Sequence, residues 1–202
     1  VIEVDTKGSP VNITEVDTKD VQLYYYNYLS DLAPLTIRTF TNSLEWQRRM
    51  LGWVPSEPTT VLLKDLSDFG NAAAMAAPRN LLIFDVAPLW RAFETFPASE
   101  RMYSLMNHEL VHVATGDISS EQDRQWRRFF LGKVAAKPEN PESIIYSYLT
   151  VPRFTAPRWY NEGSAVFLET WMGGGLGRAQ GGYDEMVFRA RGRDGKEFYD
   201  PL

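Results

Sequence analysis

Both histidines of this 202-residue chain fall in one five-residue motif, His108-Glu109-Leu110-Val111-His112. In an α-helix, positions four apart differ by about 40° around the axis, so both imidazoles would project from one face. The flanking residues 105–107 and 113–114 carry no charge and no proline, which predicts a buried helix. A buried helix must satisfy two imidazoles and a carboxylate, and this requirement constrains the fold more than any other feature of the chain.

The spacing of this HExxH motif is typical of a metal-binding helix. Two histidines on one face can share a metal ion, while the glutamate between them can reach a water on that metal without being a ligand itself. We therefore predict His108 and His112 as metal ligands and Glu109 as the general base. The competing interpretation is a hydrogen-bonded polar cluster without a metal.

A tetrahedral catalytic site needs a third protein ligand. The chain has no cysteine and no third histidine, so this ligand must be Asp or Glu. The metzincin extension of the motif is excluded, because Thr115 and Ile118 stand where glycine and histidine are required. Glu162 is the best candidate, because it lies on a predicted amphipathic helix beside Gly163 and Ala165, whose small side chains allow close approach of another helix. The alternative is an ordinary carboxylate favoured near a helix start.

A second glutamate of the same predicted helix is a candidate for holding one of the ligating histidines in place. Glu169 lies seven residues after Glu162, about 20° from the same helix face. It could accept a hydrogen bond from the free ring nitrogen of a ligating histidine. A solvated surface carboxylate fits the spacing equally well.

Composition excludes several classes of function. Lys and Arg number 21 against 26 Asp and Glu, giving a net charge of −5, and the absence of long basic runs argues against nucleic acid or an anionic membrane surface as the main partner. No apolar stretch approaches the length of a membrane span. The absence of cysteine excludes a disulfide framework, a thiolate metal site and a cysteine nucleophile.

Hydrophobic periodicity predicts strands in the first 90 residues and helices after them. A β-hairpin is predicted over residues 1–16, and short β-rich runs predict strands at 59–64 and 80–86. Two helices, or one helix bent at Pro34, are predicted between residues 20 and 51. Residues 68–77 fit either a short helix or an unobstructed sheet edge.

Four further helical segments follow. They are predicted at 98–116, with Ser99 as N-cap and Gly116 as the stop, at 122–134, within 144–149 and at 158–172. The tail from residue 179 is weakly patterned. Strands followed by helices, without βαβ alternation, predict an α+β fold rather than a doubly wound sheet. We expect a single domain over 1–202, with a sheet-rich upper lobe at 1–97 and a helical lower lobe at 98–202.

The motif and the later glutamate helix, Trp159-Tyr160-Asn161-Glu162-Gly163-Ser164-Ala165, together resemble a gluzincin metallopeptidase. The order of several further segments resembles the bacterial peptidase-MA-like domains that are often joined to a C-terminal β-propeller. These segments are Asn71-Ala72-Ala73-Ala74, Pro78-Arg79-Asn80, Pro157-Arg158 and Gly177-Arg178. The resemblance covers about residues 60 to 195. The chain departs from compact gluzincins because Glu162 lies 50 positions after His112, so residues 117–157 must form an insertion that loops out or covers the cleft.

The resemblance implies a zincin-like fold, in which a mixed sheet lies above a helical lobe and the HExxH helix forms the cleft floor. It also implies a Zn²⁺ ion held by His108, His112 and Glu162. It implies a peptide or protein substrate, which can pair with an edge strand in the 71–84 region, and an extracytoplasmic location. Gluzincins place a His or Tyr donor for the oxyanion after the glutamate helix. Tyr183 is the first choice here, with Tyr160 and Arg178 as alternatives.

Two hypotheses of function follow. The first is a zinc-dependent hydrolase, most simply a peptidase, in which Glu109 activates the water that attacks a carbonyl. The second is a non-catalytic peptidase-like module that binds a partner through the aromatic-rich segment at 140–160. Retention of Glu109 argues for the first, because a binding scaffold has no need of a general base.

Overall fold

A computed structural model describes residues 2–4, 13–87, 101–150 and 157–197 of the chain. The fold is α+β, as the sequence predicts, with one mixed six-stranded sheet and helices after it. The strands are β1 (Ile2–Val4), β2 (Ile13–Asp17), β3 (Val21–Tyr26), β4 (Thr59–Lys64), β5 (Asn71–Met75) and β6 (Leu81–Asp85). The helices are α1 (Ala33–Leu51), α2 (Arg101–Asp117), α3 (Glu121–Phe129), α4 (Pro141–Leu149), α5 (Arg158–Met172) and α6 (Gly182–Arg193).

The strands lie in the order β1-β2-β3-β4-β6-β5. β1 and β2 pair antiparallel, which confirms the predicted hairpin pairing, while its turn lies outside the described residues. β3, β4 and β6 are parallel neighbours, and β5 pairs antiparallel with β6 at the sheet edge. Residues 71–75 are therefore an edge strand, which decides between the two interpretations that the sequence left open for this segment.

One face of the sheet and two helices form the main core. α1 and α2 pack against the alternate residues of β3, β4 and β6 that point to that face. Each strand buries every second side chain, because successive side chains of a strand point to opposite faces. The buried core residues include Leu23, Val61, Leu63, Leu82, Phe84, Phe40, Leu44, Met106, Leu110 and Val113.

The prediction of helix from residue 20 onward is wrong for its first part. Residues 21–26 form β3, in which Val21, Leu23 and Tyr25 are buried and the residues between them are half-buried. This alternation has period two, and tyrosines favour strands. A 3₁₀ turn, Asn27–Leu32, follows, and Pro34 occupies the first turn of α1, where a proline costs no hydrogen bond.

The expectation of no βαβ alternation is also wrong in one place. β3 and β4 are parallel and are joined by α1, so they form one βαβ unit. Mistaking β3 for helix concealed this unit in the sequence. The class remains α+β, because the later helices follow the sheet rather than alternate with its strands.

α2 does not stop at Gly116 as predicted. The helix continues to Asp117, and a Cβ added at Gly116 would lie 2.5 Å from the Cβ of Ala76. Glycine is needed here for close packing against the end of β5, not to terminate the helix. The predicted N-cap, Ser99, lies outside the described residues.

The segment 117–157 contains two of the predicted helices. α3 begins with a capping box in which Ser120 and Asp123 satisfy each other's backbone amides. α4 packs against α3, partly through an edge-to-face contact of Phe130 with Tyr146. The tail is more ordered than predicted, because residues 182–193 form α6. Within the described part of the chain, every helix is too short or too polar to cross a membrane.

A buried carboxylate ties the end of α2 to the loop between α1 and β4 and to the chain after α3. Asp117 accepts hydrogen bonds from Trp53 Nε1 (3.0 Å), from the Ser56 amide (2.9 Å) and hydroxyl (2.6 Å), and from Lys133 Nζ (3.0 Å). Burial opposes ionisation of this side chain, but the Ser56 hydrogen bonds, Lys133 and Trp53 outweigh it and hold the pKa of Asp117 below its ordinary value. Asp117 therefore stabilises the fold as a charged group.

We expect Asp117→Ala to lower the free energy of unfolding by about 3 kcal/mol, because it removes one of the two carboxylates beside the buried Lys133 and takes away the acceptor of the buried Trp53 Nε1–H. A carboxyl whose pKa is lowered by folding stabilises the protein fully above its ordinary pKa of about 3.9, and this contribution disappears as the pH falls through the lowered value. Urea unfolding at pH 7 and at pH 3 measures both effects. The variant Asp68→Ala, at an exposed loop position, should unfold like the wild type; equal midpoints for Asp117→Ala and wild type would contradict the assignment.

Candidate metal centre

The predicted ligand residues meet on facing surfaces of α2 and α5. The Nε2 atoms of His108 and His112 lie 3.2 Å apart. Glu162 Oε2 lies 3.5 Å from His108 Nε2 and 3.7 Å from His112 Nε2. These three residues form a group that could hold a metal ion.

The separations fit a small tetrahedral ion. With metal–ligand bonds of about 2.0–2.2 Å, the ligand atoms of a tetrahedral site lie about 3.3–3.6 Å apart. The three measured separations bracket this range. Two imidazole nitrogens and one carboxylate oxygen are also a donor set that suits a borderline-soft divalent ion. Three protein donors leave a fourth position for water or substrate.

One small residue of α5 lets this helix pack closely against α2. Ala165 and Val111 are both buried in a small apolar cluster with Met172. The prediction that Gly163 is needed for this approach is wrong, because a Cβ added there would meet no atom within 4 Å. Of Gly163 and Ala165, only Ala165 lies in the contact between α5 and α2.

The burial of α2 agrees with the prediction from its uncharged flanks. His108 and Glu109 are 6% and 8% exposed. Burial raises the pKa of Glu109, and the nearby charges of Glu162 and Glu169 act in the same direction, whereas His108 and Arg178 oppose the rise. A carboxylate with a raised pKa is a stronger base, which suits it to accept a proton near neutral pH.

His112 is in the form that binds metals. Burial lowers its pKa, His108 and Arg178 lower it further, and Glu162 opposes the change. The ring is therefore neutral at pH 7. A neutral imidazole has the free nitrogen lone pair that a metal requires.

The second glutamate of α5 lies behind His108. Glu169 is 3% exposed, and its Oε2 lies 2.7 Å from His108 Nδ1, the ring nitrogen opposite the one that faces His112. With Nδ1–H donating to Glu169, the tautomer of His108 leaves Nε2 free for a metal. The geometry is that of the predicted outer hydrogen-bond acceptor, and the alternative of a solvated carboxylate does not agree with this burial.

Arg178 completes the outer hydrogen bonds in a position that the sequence did not indicate. Its Nε and Nη2 donate to the two oxygens of Glu169 at 2.7 and 2.6 Å. Nη2 also lies 2.6 Å from His108 Nδ1, which is a close approach and not a hydrogen bond when Nδ1–H donates to Glu169. Burial acts to raise the pKa of Glu169, but the hydrogen bonds from Arg178 and His108 outweigh it, so the pKa is lowered and the carboxylate stays charged. Arg178 thus lies on the opposite side of the His108 ring from the ligand atoms, which does not suit an oxyanion donor.

A glycine explains how Arg178 reaches this place. A Cβ added at Gly177 would lie 2.3 Å from Thr170 Oγ1, so the chain after α5 folds back directly onto that helix. The Ala179 amide then donates to Thr170 Oγ1 at 3.0 Å. Gly177 is the one sequence signal that could have indicated this close return.

Among the described residues, the two tyrosines considered as oxyanion donors make no hydrogen bond or ring contact with His108, His112 or Glu162. Tyr183 is the second residue of α6, rather than part of a glycine-flanked loop, and is 50% exposed. Tyr160 is 57% exposed and packs edge-to-face on Trp159. The oxyanion role of Tyr183 stays a prediction.

A scan against models of known protein families finds no match to this chain, and a search of curated proteins finds none either.

Proposed function

We propose that the chain is a zinc-dependent hydrolase of the gluzincin type that cleaves peptide bonds. The observation that supports this most directly is the meeting of His108, His112 and Glu162 with separations of 3.2–3.7 Å between their ligand atoms. Glu109 follows His108 in the same buried helix turn. A chain with only two histidines uses both of them in this group.

Zinc is the metal that this donor set favours among the common biological ions. Two imidazoles and a carboxylate are the ligands of known catalytic zinc sites, whereas magnesium and calcium prefer oxygen ligands alone. When bound, zinc supplies a Lewis acid that polarises a carbonyl and lowers the pKa of water. His108, His112 and Glu162 would hold it, with Glu169 and Arg178 orienting His108.

The chain's own residues supply the proton transfers. Glu109 takes a proton from the water whose oxygen attacks the carbonyl carbon, and it delivers that proton to the amine nitrogen as the C–N bond breaks. The products are a carboxylic acid and an amine, so the atoms balance. Burial of Glu109 raises its pKa, which strengthens it as the base and makes the protonated form a usable acid.

The sheet edge beside α2 favours an extended peptide as substrate. β5 is the edge strand and packs against α2, and its sequence Asn-Ala-Ala-Ala-Met leaves the backbone edge little obstructed by side chains. An extended peptide could add to this edge by main-chain hydrogen bonds. In this proposal the sheet forms the upper lobe, α2 forms the cleft floor and the protein works outside the cytoplasm.

A non-catalytic binding module is the second candidate. Its support is a set of exposed apolar and aromatic side chains on α4 and at the start of α5: Ile145, Tyr148, Trp159 and Tyr160. Such surfaces often bind partners. This candidate does not explain the buried carboxylate of Glu109.

Diffraction on both sides of the zinc absorption edge tests the metal, and digestion of a peptide library by the same zinc-loaded protein tests the reaction. We expect an anomalous peak between His108, His112 and Glu162 that disappears below the edge, together with cleavage of peptide bonds. A protein that holds zinc and cleaves no peptide would favour the binding module. A protein that takes up no zinc would contradict both the metal and the mechanism.

A further inference from the structure

Residues 117–150 of the predicted insertion do not simply loop out from the rest of the protein. Together with the end of α2 and the loop after β5 they line an open cavity of about 320 Å³. This volume is at the small end of the range for ligand pockets, about 300–1,000 Å³, so it can take an aliphatic side chain together with part of the adjoining peptide. Most of the lining comes from α3, α4 and the chain between them, with Gly116 from α2 and Ala77 from the loop after β5.

The cavity lies near the candidate metal centre, because both adjoin the C-terminal part of α2. Gly116 lies four residues after His112 on α2, about 40° around the axis and about 6 Å along it. Ala77 lies two residues after the edge strand β5. An extended peptide advances about 3.3 Å per residue, so a peptide bound along β5 with its carbonyl at the metal centre would bring a side chain within about two residues of that carbonyl to the cavity.

The charged groups in the lining are already engaged. Lys133 Nζ lies 2.7 Å from Glu57 Oε1 and 3.0 Å from Asp117 Oδ1. Arg127 donates to the Asp117 carbonyl oxygen at 3.0 Å and lies 3.6 Å from the Asp117 carboxylate. Two cations facing two carboxylates leave no net charge to attract an anionic ligand.

The rest of the lining is mostly apolar, and the hydroxyls of Ser147 and Thr150 already donate to backbone carbonyl oxygens of α4. Ala77, Val134, Ala135 and the ring of Tyr146 supply the apolar surface. A neutral aliphatic group therefore fits this lining better than a charged or strongly polar one.

We propose that this cavity binds an aliphatic side chain of a peptide and selects substrates by it. The inference rests on the proposed function, because it assigns the cavity to the same peptide that the metal centre would cleave. It is a role for the segment 117–157 that neither the motif nor the resemblance assigns.

A binding experiment tests the cavity without using activity. Methyl NMR of the protein follows Val134 and Ala135 during titration with 4-methylpentanamide, a neutral mimic of a leucine residue, and with glutaramide, a polar amide of similar size. We expect saturable shifts with the first compound at about millimolar Kd and binding at least about 10-fold weaker with the second. Absence of shifts, or equal binding of the two amides, would overturn the proposal.

Filling the cavity gives a matched pair of variants. Ala135→Leu adds three carbons to the lining and should weaken binding of 4-methylpentanamide at least about 10-fold. Ala136→Leu, at another lining position, should act in the same direction, so the test does not depend on one variant that could unfold. Ala190→Leu makes the same change on an exposed face of α6 and should bind like the wild type.

Cleavage sites in a peptide library separate this proposal from the proposed function. We expect the wild type to prefer Leu, Ile or Met at one position within two residues of the cut bond, and Ala135→Leu to shift that preference at least about 10-fold toward Ala and Gly. Cleavage without such a preference, or with one that Ala135→Leu does not move, overturns the cavity assignment alone. Binding of 4-methylpentanamide in a protein that cleaves nothing supports the cavity and contradicts the peptidase.

Discussion

Glu109→Gln should lower kcat/KM for peptide hydrolysis by about 10²- to 10⁴-fold while zinc stays bound. Glutamine keeps the shape of the side chain but cannot take a proton from the attacking water. Because Glu109 is not among the three residues whose ligand atoms meet, its substitution should leave the metal affinity nearly unchanged. Initial rates and zinc content by mass spectrometry, measured on the same sample, distinguish loss of the base from loss of the metal.

The control for this variant is Glu45→Gln on α1, an exposed glutamate paired with Arg49. It should retain wild-type rates. Full activity in Glu109→Gln would remove Glu109 from the mechanism. Equal loss of zinc and activity would instead make Glu109 a ligand and place the base elsewhere.

Glu162→Ala should weaken zinc binding by about 10²- to 10³-fold. Structural zinc sites of four ligands bind with about 10–16 kcal/mol, which is about 2.5–4 kcal/mol for each ligand. Glu162 belongs to α5, whereas both histidines belong to α2, so its loss leaves the two imidazoles of one helix as the remaining protein ligands. Competition with a chromophoric chelator measures the affinity, and activity should fall in parallel at limiting zinc.

Glu45→Ala again serves as a control, because Glu45 and Glu162 are both exposed helical glutamates that pair with an arginine four residues away. An unchanged zinc affinity for Glu162→Ala would exclude this residue from the ligand set.

Local sequence was sufficient for the parts of the site that lie within one helix. The 3.6-residue period places His108 and His112 on one face whatever surrounds them, and the uncharged flanks predict the burial that the structure has. The same reasoning gives the bounds of α5 and the face shared by Glu162 and Glu169. It failed for β3, because its tyrosines and Leu23 fit a helical period as well as a strand period over so short a run.

Contacts between distant segments were beyond this reasoning. Arg178 was a candidate for the oxyanion, yet it lies behind His108, because the chain folds back at Gly177 onto Thr170. The sequence pattern indicates Gly116 as a helix stop, but in the structure its missing side chain makes room for Ala76. In both cases the reason for the glycine is an atom on another element, which no local pattern contains.

By itself, the sequence determined the HExxH helix, the donor types available and the α+β order of elements, because these depend on spacing and composition alone. Only the tertiary structure decided that Glu162 comes within 3.7 Å of both imidazoles, that Glu169 lies behind His108 and is held there by Arg178, and that residues 127–150 line a cavity at the end of α2. The physical reason is that periodicity specifies which face of an element is buried, whereas the packing of separate elements decides what that face meets.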